Sequence, residues 1–164
     1  MAYQIVDVRQ QMDEDQKQEI IEFWVKEGAL NAEQGAKRVE QVLQIVKVAE
    51  TGEIAGVCTA FVFLVESMQL HFYQYRSFIG QAHRQAGLVK VLIDDSYKLL
   101  NREFREGRQT QAVGIFLDIE NEHLKRRNRT VWKEAGDFFF VGLGRNGNHL
   151  RIAYFDDSRI SATP

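Results

Sequence analysis

The hydrophobic and polar positions in the first part of the chain change their period twice. Residues 2–9 alternate as a half-buried strand requires, and residues 15–28 then carry apolar side chains at helical spacing up to Gly28. Asn31 is a suitable N-cap for a second, shorter helix. This part of the sequence therefore predicts one strand followed by two helices.

The middle of the chain predicts three strands and a long helix. Residues 44–50 and 53–65 are strand-like, and a Thr-Gly pair between them suits a hairpin turn. The second of these strands is almost wholly apolar, so we expect it to be central and covered on both faces. Residues 69–79 predict a further strand rich in aromatic side chains, and residues 88–105 predict an amphipathic helix.

The last part of the chain predicts a strand, a fourth helix and a closing hairpin. The strand covers residues 110–118, and the hairpin covers residues 138–143 and 149–155. The fourth helix is expected at residues 121–135, where a helical repeat is formed by Leu124, Asn128, Val131 and Ala135. The element order predicts an α/β fold with a mixed, mostly antiparallel central sheet of about seven strands flanked by four helices. Its middle β-α-β unit predicts a parallel pair.

Composition and charge add limits to this picture. The chain has 164 residues, of which 45% are hydrophobic, and this predicts a single globular domain over residues 1–164. A net charge of −2 indicates neither a nucleic acid nor an anionic membrane as a partner. The apolar run at residues 54–65 is too short to span a bilayer as a helix. Because a lone Cys58 suits a reducing compartment, we expect a cytoplasmic protein.

The turn between residues 79 and 88 is the strongest candidate for chemistry. A strand that enters a glycine-bearing turn at a helix N-terminus presents backbone N–H groups and the positive end of the helix to an anion. Arg84 would add a positive charge, and Gly87 would let the backbone approach a phosphate closely. The alternative is that the glycine only permits the connection from strand to helix.

Two motifs resemble those of the GNAT superfamily of N-acetyltransferases. The segment 84–89, Arg-Gln-Ala-Gly-Leu-Val, is similar to the Arg/Gln-x-x-Gly-x-Gly/Ala motif that wraps the pyrophosphate of acetyl-coenzyme A. The segment 132–138 is similar to the Tyr-x-x-x-Gly-Phe element that ends the fourth helix of that family. The resemblance in element order covers residues 2–157. It implies transfer of an acetyl or other acyl group from acetyl-CoA, with coenzyme A released, to a small-molecule or peptide amine.

The resemblance also implies roles for individual residues. The cofactor would lie in the splay between the fourth and fifth strands, with its pantetheine arm bonded to the backbone of Phe78, Ile79 and Gly80. The Ile79 N–H would polarise the thioester carbonyl as an oxyanion donor. Asn121 is a candidate cofactor contact, and its alternative role is a helix cap. The pyrophosphate would be held by Arg84, Gln85, Ala86, Gly87, Leu88 and Val89.

Departures from the family pattern concern the phosphate motif, the general acid and the general base. Val89 replaces the last small residue of the phosphate motif, and Trp132 stands where the family has its general-acid tyrosine. An indole N–H cannot protonate a leaving thiolate, so Trp132 is interpreted as a packing residue. The candidates for a base are Tyr73, His71 and Glu66, each of which also has a structural explanation.

Several alternatives stay open at this point. Trp24, Tyr73 and Tyr75 are candidates for the acceptor pocket, and core packing is the alternative role of each. The four histidines are scattered and lack partners at metal-ligand spacing, so we expect no metal site. The alternatives to an enzyme are a non-catalytic acyl-coenzyme A binding or regulatory module and a structural domain that forms a homodimer.

Overall fold

The computed structural model describes residues 1–126, 129–133 and 136–160. The strands are β1 Tyr3–Asp7, β2 Val42–Val48, β3 Ile54–Val65, β4 Leu70–Ile79, β5 Ala112–Ile119, β6 Val131–Trp132, β7 Phe138–Leu143 and β8 His149–Tyr154. The α-helices are α1 Glu14–Lys26, α2 Ala32–Arg38, α3 Leu88–Arg105 and α4 Glu122–Lys125. Short 3₁₀ helices occupy Val39–Gln41, Gln81–Ala86 and Arg145–Gly147.

The strands form a mixed sheet in the order β1-β2-β3-β4-β5-β8-β7-β6. β4 and β5 are parallel, with Tyr73 beside Ile115 and Tyr75 beside Leu117. Antiparallel pairing joins β1 with β2, β2 with β3, β5 with β8, β8 with β7 and β7 with β6. The predicted fold class, a mostly antiparallel sheet with helices and one parallel pair, is confirmed.

The contacts divide the chain into two compact units, and β3, β4 and α3 contribute residues to both of them. The first unit contains residues 1–60 and 77–96. Two side-chain caps start its first two helices: Asp13 accepts from the Gln16 N–H, and Asn31 forms a reciprocal capping box with Gln34. Its apolar core is formed by Val8, Ile20, Phe23, Trp24, Val39, Val42, Ile45, Ile54 and Val57.

The second unit contains residues 61–76 and 97–164. Phe72, Val113 and Ile152 form a buried cluster, against which Phe63 and Phe116 pack with ring centroids 5.2 Å apart. No helix in the described ranges is long and apolar enough to cross a membrane. The prediction of a single domain stays a prediction beside this division into two units.

The predicted fourth helix is wrong over most of its length. α4 has four residues, and Val131–Trp132 then forms β6, which pairs with β7 through Trp132 beside Phe138. β-Branched and aromatic residues prefer an extended, pleated environment, and the partner strand β7 provides it. Asn128 and Ala135, two positions of the predicted helical repeat, lie outside the described residues. The sheet consequently has eight strands where about seven were expected.

Candidate functional site

Backbone hydrogen bonds fix the turn that follows β4. The Gly80 N–H donates to the Ala55 carbonyl oxygen at 2.9 Å, and the His83 N–H donates to the Gly80 carbonyl oxygen at 2.9 Å. The Gln81 N–H donates to Oε2 of Glu27, at the end of α1, at 2.8 Å. The turn is therefore held by β3 on one side and by α1 on the other.

Gly87 ends this turn in a left-handed conformation, with φ +69° and ψ 16°. A Cβ atom at this position would have no described atom within 4 Å, so the space beside the backbone is uncrowded. An L-residue with a side chain is strained at this φ, which explains why glycine is needed here. α3 begins at the next residue, and its N-terminal end therefore lies beside an uncrowded stretch of backbone.

Arg84 connects the turn to the end of β4. Its Nε donates to the Ile79 carbonyl oxygen at 3.3 Å, and its Cζ lies 5.6 Å from the centre of the Phe78 ring. The Arg84 side chain is exposed, and it has no carboxylate partner within the described part of the chain. Its charge is therefore available to an anion at the turn.

The end of β4 is closely packed. Ile79 is buried, and a Cβ atom added to Gly56 of β3 would lie 2.5 Å from its Cδ1 atom. A Cβ atom on Gly80 would lie 3.3 Å from the Phe23 ring and 3.4 Å from the Glu27 carboxyl group. There is therefore little free space around the side chain of Ile79 and the backbone of Gly80.

The remaining residues of the predicted phosphate motif lie along the same turn and the first turn of α3. Leu88 is buried, whereas Ala86 is exposed and Val89 is 36% exposed. The bulk of Val89 thus lies on the surface of the helix. The side chain of Gln85 lies outside the described part of the structure.

The three predicted acceptor residues lie in different environments. Trp24 is 3% exposed within the core of the first unit, and Tyr75 is 4% exposed on β4. Tyr73 is half-buried, with its ring centroid 6.3 Å from that of Phe155. The packing of Trp24 and Tyr75 agrees with the alternative of a core role, and their assignment to an acceptor pocket stays a prediction.

The other candidate residues lie in the second unit. His71 lines a shallow cavity of about 280 Å³ together with Thr110 and Asp157. Glu66 is exposed in the turn before β4, where its backbone oxygen accepts from Gln69. Asn121 caps α4, because its Oδ1 atom accepts from the His123 and Leu124 N–H groups. Asn121 thus acts as a helix cap, and its contact with a cofactor stays a prediction.

The sequence pattern did not indicate Glu27 as a residue of the site. Its contact with the Gln81 N–H joins two residues that are 54 positions apart, and no local pattern indicates such a contact. Trp132 was predicted at the end of a helix, whereas it lies on β6 beside the guanidinium group of Arg151. The comparison of Trp132 with an acid tyrosine at a helix end therefore loses its structural basis.

Neither comparison at the level of sequence identifies a relative. No model of a known protein family matches the chain. No curated protein matches it either.

Comparison with solved structures gives clear likenesses across nearly the whole chain. A bacterial toxin is 12% identical and has a TM-score of 0.63, with 94% of this chain and 91% of that chain covered. Arabidopsis thaliana NAA60, in complex with acetyl-CoA, is 13% identical with a TM-score of 0.58, covering 93% and 98%. An acetyltransferase of the GNAT family from Streptococcus pneumoniae is 11% identical with a TM-score of 0.55, covering 92% and 96%. The chain therefore has the fold of the GNAT acetyltransferases.

Proposed function

We propose that this protein is an N-acyltransferase that moves an acetyl or other acyl group from acetyl-CoA to an amine. The observation that carries the proposal is the turn at residues 80–87, which leads from β4 into α3 through a left-handed, uncrowded Gly87. In a chain with the fold of the GNAT acetyltransferases, this turn coincides with the segment that resembles the family's pyrophosphate motif.

The turn has the properties of a phosphate site. An α-helix of 18 residues starts directly after it, and the N-terminal N–H groups of a helix attract anions. Arg84 adds a guanidinium group that can bond an oxyanion through its remaining N–H groups. Together these features favour a pyrophosphate over a neutral ligand.

The end of β4 would orient the acyl group. When bound, acetyl-CoA supplies an acyl thioester that an amine can attack directly. Ile79 is buried in a closely packed strand end, which would favour a fixed position of its N–H group, as stabilising the negative charge on the carbonyl oxygen requires. Tyr73, His71 and Glu66 stay candidates for accepting the proton of the amine, and the acceptor would be a small molecule or a peptide.

A second candidate function is a non-catalytic acyl-CoA binding module. The observation that favours it is the position of Trp132 on β6 and not at a helix end, which leaves the family's general-acid tyrosine without a matched residue in the described part of the chain. Without a general acid, the thiolate would have to leave unassisted, which is chemically feasible for a thiol with a pKa of about 8.5.

Two glycines provide a matched test of the turn. Gly87 and Gly52 both have left-handed φ values, +69° and +75°, and both have nothing within 4 Å of an added Cβ atom. We expect Gly87→Glu to weaken acetyl-CoA binding at least tenfold, because it adds bulk and negative charge beside the pyrophosphate. Gly52→Glu, in the turn before β3, introduces similar backbone strain and is expected to leave binding unchanged.

Calorimetry with acetyl-CoA measures the binding, and thermal unfolding without ligand shows whether both variants fold. Equal affinity of the two variants would remove the turn from the site. Release of coenzyme A with a panel of amines then separates the two functions. Tight binding without release for any amine would favour the binding module over the enzyme.

A further inference from the structure

Arg151 on β8 is a buried cation without a counter-charge among the described residues. Arg151 is 1% exposed, and within the described ranges its side chain forms no ion pair with a carboxylate. Desolvation by burial lowers the pKa of its guanidinium group. Burying an unpaired charge is costly, so a buried arginine is normally compensated by an anion or by a full set of hydrogen bonds.

The hydrogen bonds of Arg151 satisfy one edge of the guanidinium group. Nη2 donates to the Arg129 carbonyl oxygen at 2.6 Å, and Nη1 donates to the Thr130 carbonyl oxygen at 3.4 Å. The guanidinium group lies over the Trp132 ring, with Cζ 4.1 Å from the ring centre. The Nε atom is buried and has no hydrogen-bond partner among the described residues.

Two further buried polar atoms, the Trp132 Nε1 and the His149 Nδ1, lie in the same cluster. Neither has a hydrogen-bond partner in the part of the chain that the structure describes. His149 and Arg151 are two residues apart on β8 and so share one face of the sheet. Phe140 contacts both, because its ring centre lies 5.6 Å from the His149 ring and 6.0 Å from the Arg151 Cζ.

We propose that Arg151, Trp132 and His149 form a binding site for a carboxylate group. The unpaired Nε and the adjacent Nη of an arginine form a planar edge that matches the two oxygens of a carboxylate. An indole N–H, and an imidazole nitrogen that carries a proton, are additional donors. Phe140, whose ring contacts His149 and Arg151, is 38% exposed, so the cluster borders a residue that reaches solvent.

A carboxylate of the chain itself does not serve this purpose in the described residues. The pKa of Glu122 is lowered mainly by its hydrogen bond with Lys125 and to a smaller extent by the nearby His149. Glu122 therefore interacts mainly with Lys125. We therefore assign the carboxylate to a ligand. This inference does not depend on acyl transfer, because it rests on a separate set of residues.

The two tryptophans of the chain allow a direct test. In the ¹⁵N-labelled full-length protein, two indole N–H signals are expected, and Trp24→Phe assigns them. Sodium acetate is titrated to about 100 mM at constant ionic strength against sodium chloride, since a single carboxylate on an arginine edge binds in the millimolar range. We expect the Trp132 signal to shift saturably with acetate, while the signal of Trp24 in the core of the first unit stays in place.

Variants of the cluster decide the outcome. Arg151→Lys keeps the charge but loses the planar edge, and we expect it to weaken acetate binding about tenfold. His149→Gln, which leaves Arg151 intact, is expected to weaken it less. An unmoved Trp132 signal, or the same titration curve for Arg151→Lys and wild type, would overturn the proposal. A shift with inorganic phosphate but none with acetate would overturn the carboxylate in favour of a tetrahedral anion.

Discussion

Arg84 is the residue in the turn whose charge contributes most directly to the proposed function. It is exposed, and its Nε is bonded to the Ile79 carbonyl oxygen, so its remaining N–H groups face solvent or a ligand. We expect Arg84→Ala to weaken acetyl-CoA binding by about 1–3 kcal/mol at low salt, as for a charge-assisted hydrogen bond. Calorimetry at two salt concentrations measures this loss.

Further variants separate the contribution of the Arg84 charge to acetyl-CoA binding from the contribution of its side-chain shape. Arg84→Lys should recover part of the affinity, and Lys37→Ala, an exposed cation on α2, should change nothing. The loss on Arg84→Ala should shrink at high salt, because exposed charges are screened. A loss of the same size at both salt concentrations would mean that Arg84 acts only by packing on Phe78.

Tyr97 is a residue whose ionisation should affect stability. Burial, followed by the charges of Asp156 and Asp137, raises its pKa to about 12, and its hydroxyl donates to the Tyr154 carbonyl oxygen at 2.8 Å. In the unfolded chain a tyrosine ionises near pH 10. The unfolded state therefore loses this proton first, and the contribution to stability is present below pH 10 and is lost as the pH rises to about 12.

Tyr97→Phe tests this pH dependence. At pH 7 the variant should lose about 0.5–1.5 kcal/mol of unfolding free energy, since one hydrogen bond is removed. Between pH 10 and 12 its stability should fall less steeply than that of the wild type. Urea unfolding across this pH range measures both slopes, and parallel slopes would contradict the assigned pKa.

At the scale of elements, the turn between β6 and β7 depends on Gly136. Its φ is +84°, and a Cβ atom there would overlap the ring of Tyr97. We expect Gly136→Ala to destabilise the protein by about 2–5 kcal/mol, because left-handed strain and overpacking add together. Chemical denaturation of the purified variant measures this loss.

Gly107, which follows α3, is the matched control. Its φ is +72°, and an added Cβ atom would have nothing within 4 Å. Gly107→Ala should therefore cost only the strain, about 1–2 kcal/mol. If the two alanine variants are equally stable, the ring of Tyr97 does not pack against this turn as described.

Among the elements, those with a strong local signal were predicted well. The predicted range of α3, 88–105, agrees with the structure, and the N-cap at Asn31 is present as a full capping box. The fourth helix was predicted wrongly because its structure depends on a partner that is distant along the chain. Residues 121–125 carry a local helix start at Asn121, but the chain beyond them pairs with β7, and no helical spacing reveals that a partner strand is available.

At the scale of the whole molecule, the fold is shared with proteins whose sequences are very different. Structures that are 11–13% identical to this chain share its fold over more than nine-tenths of its length. A fold depends on the pattern of buried and exposed positions, which many sequences satisfy, whereas an activity depends on a few particular residues. The likeness therefore shows the fold, whereas the acyltransferase proposal depends on the turn of residues 80–87 and is left, with the acceptor, to experiment.

The sequence by itself determined the features that depend on neighbours along the chain: most elements, the parallel pair, and the strand-turn-helix unit with its glycine. Only the tertiary structure decided the features that join distant residues. Glu27 anchors the turn from 54 positions away, and Arg151 holds the backbone of Arg129 and Thr130. Hydrophobic period and caps are local, but a side chain's partner is fixed only when strands and helices are packed together.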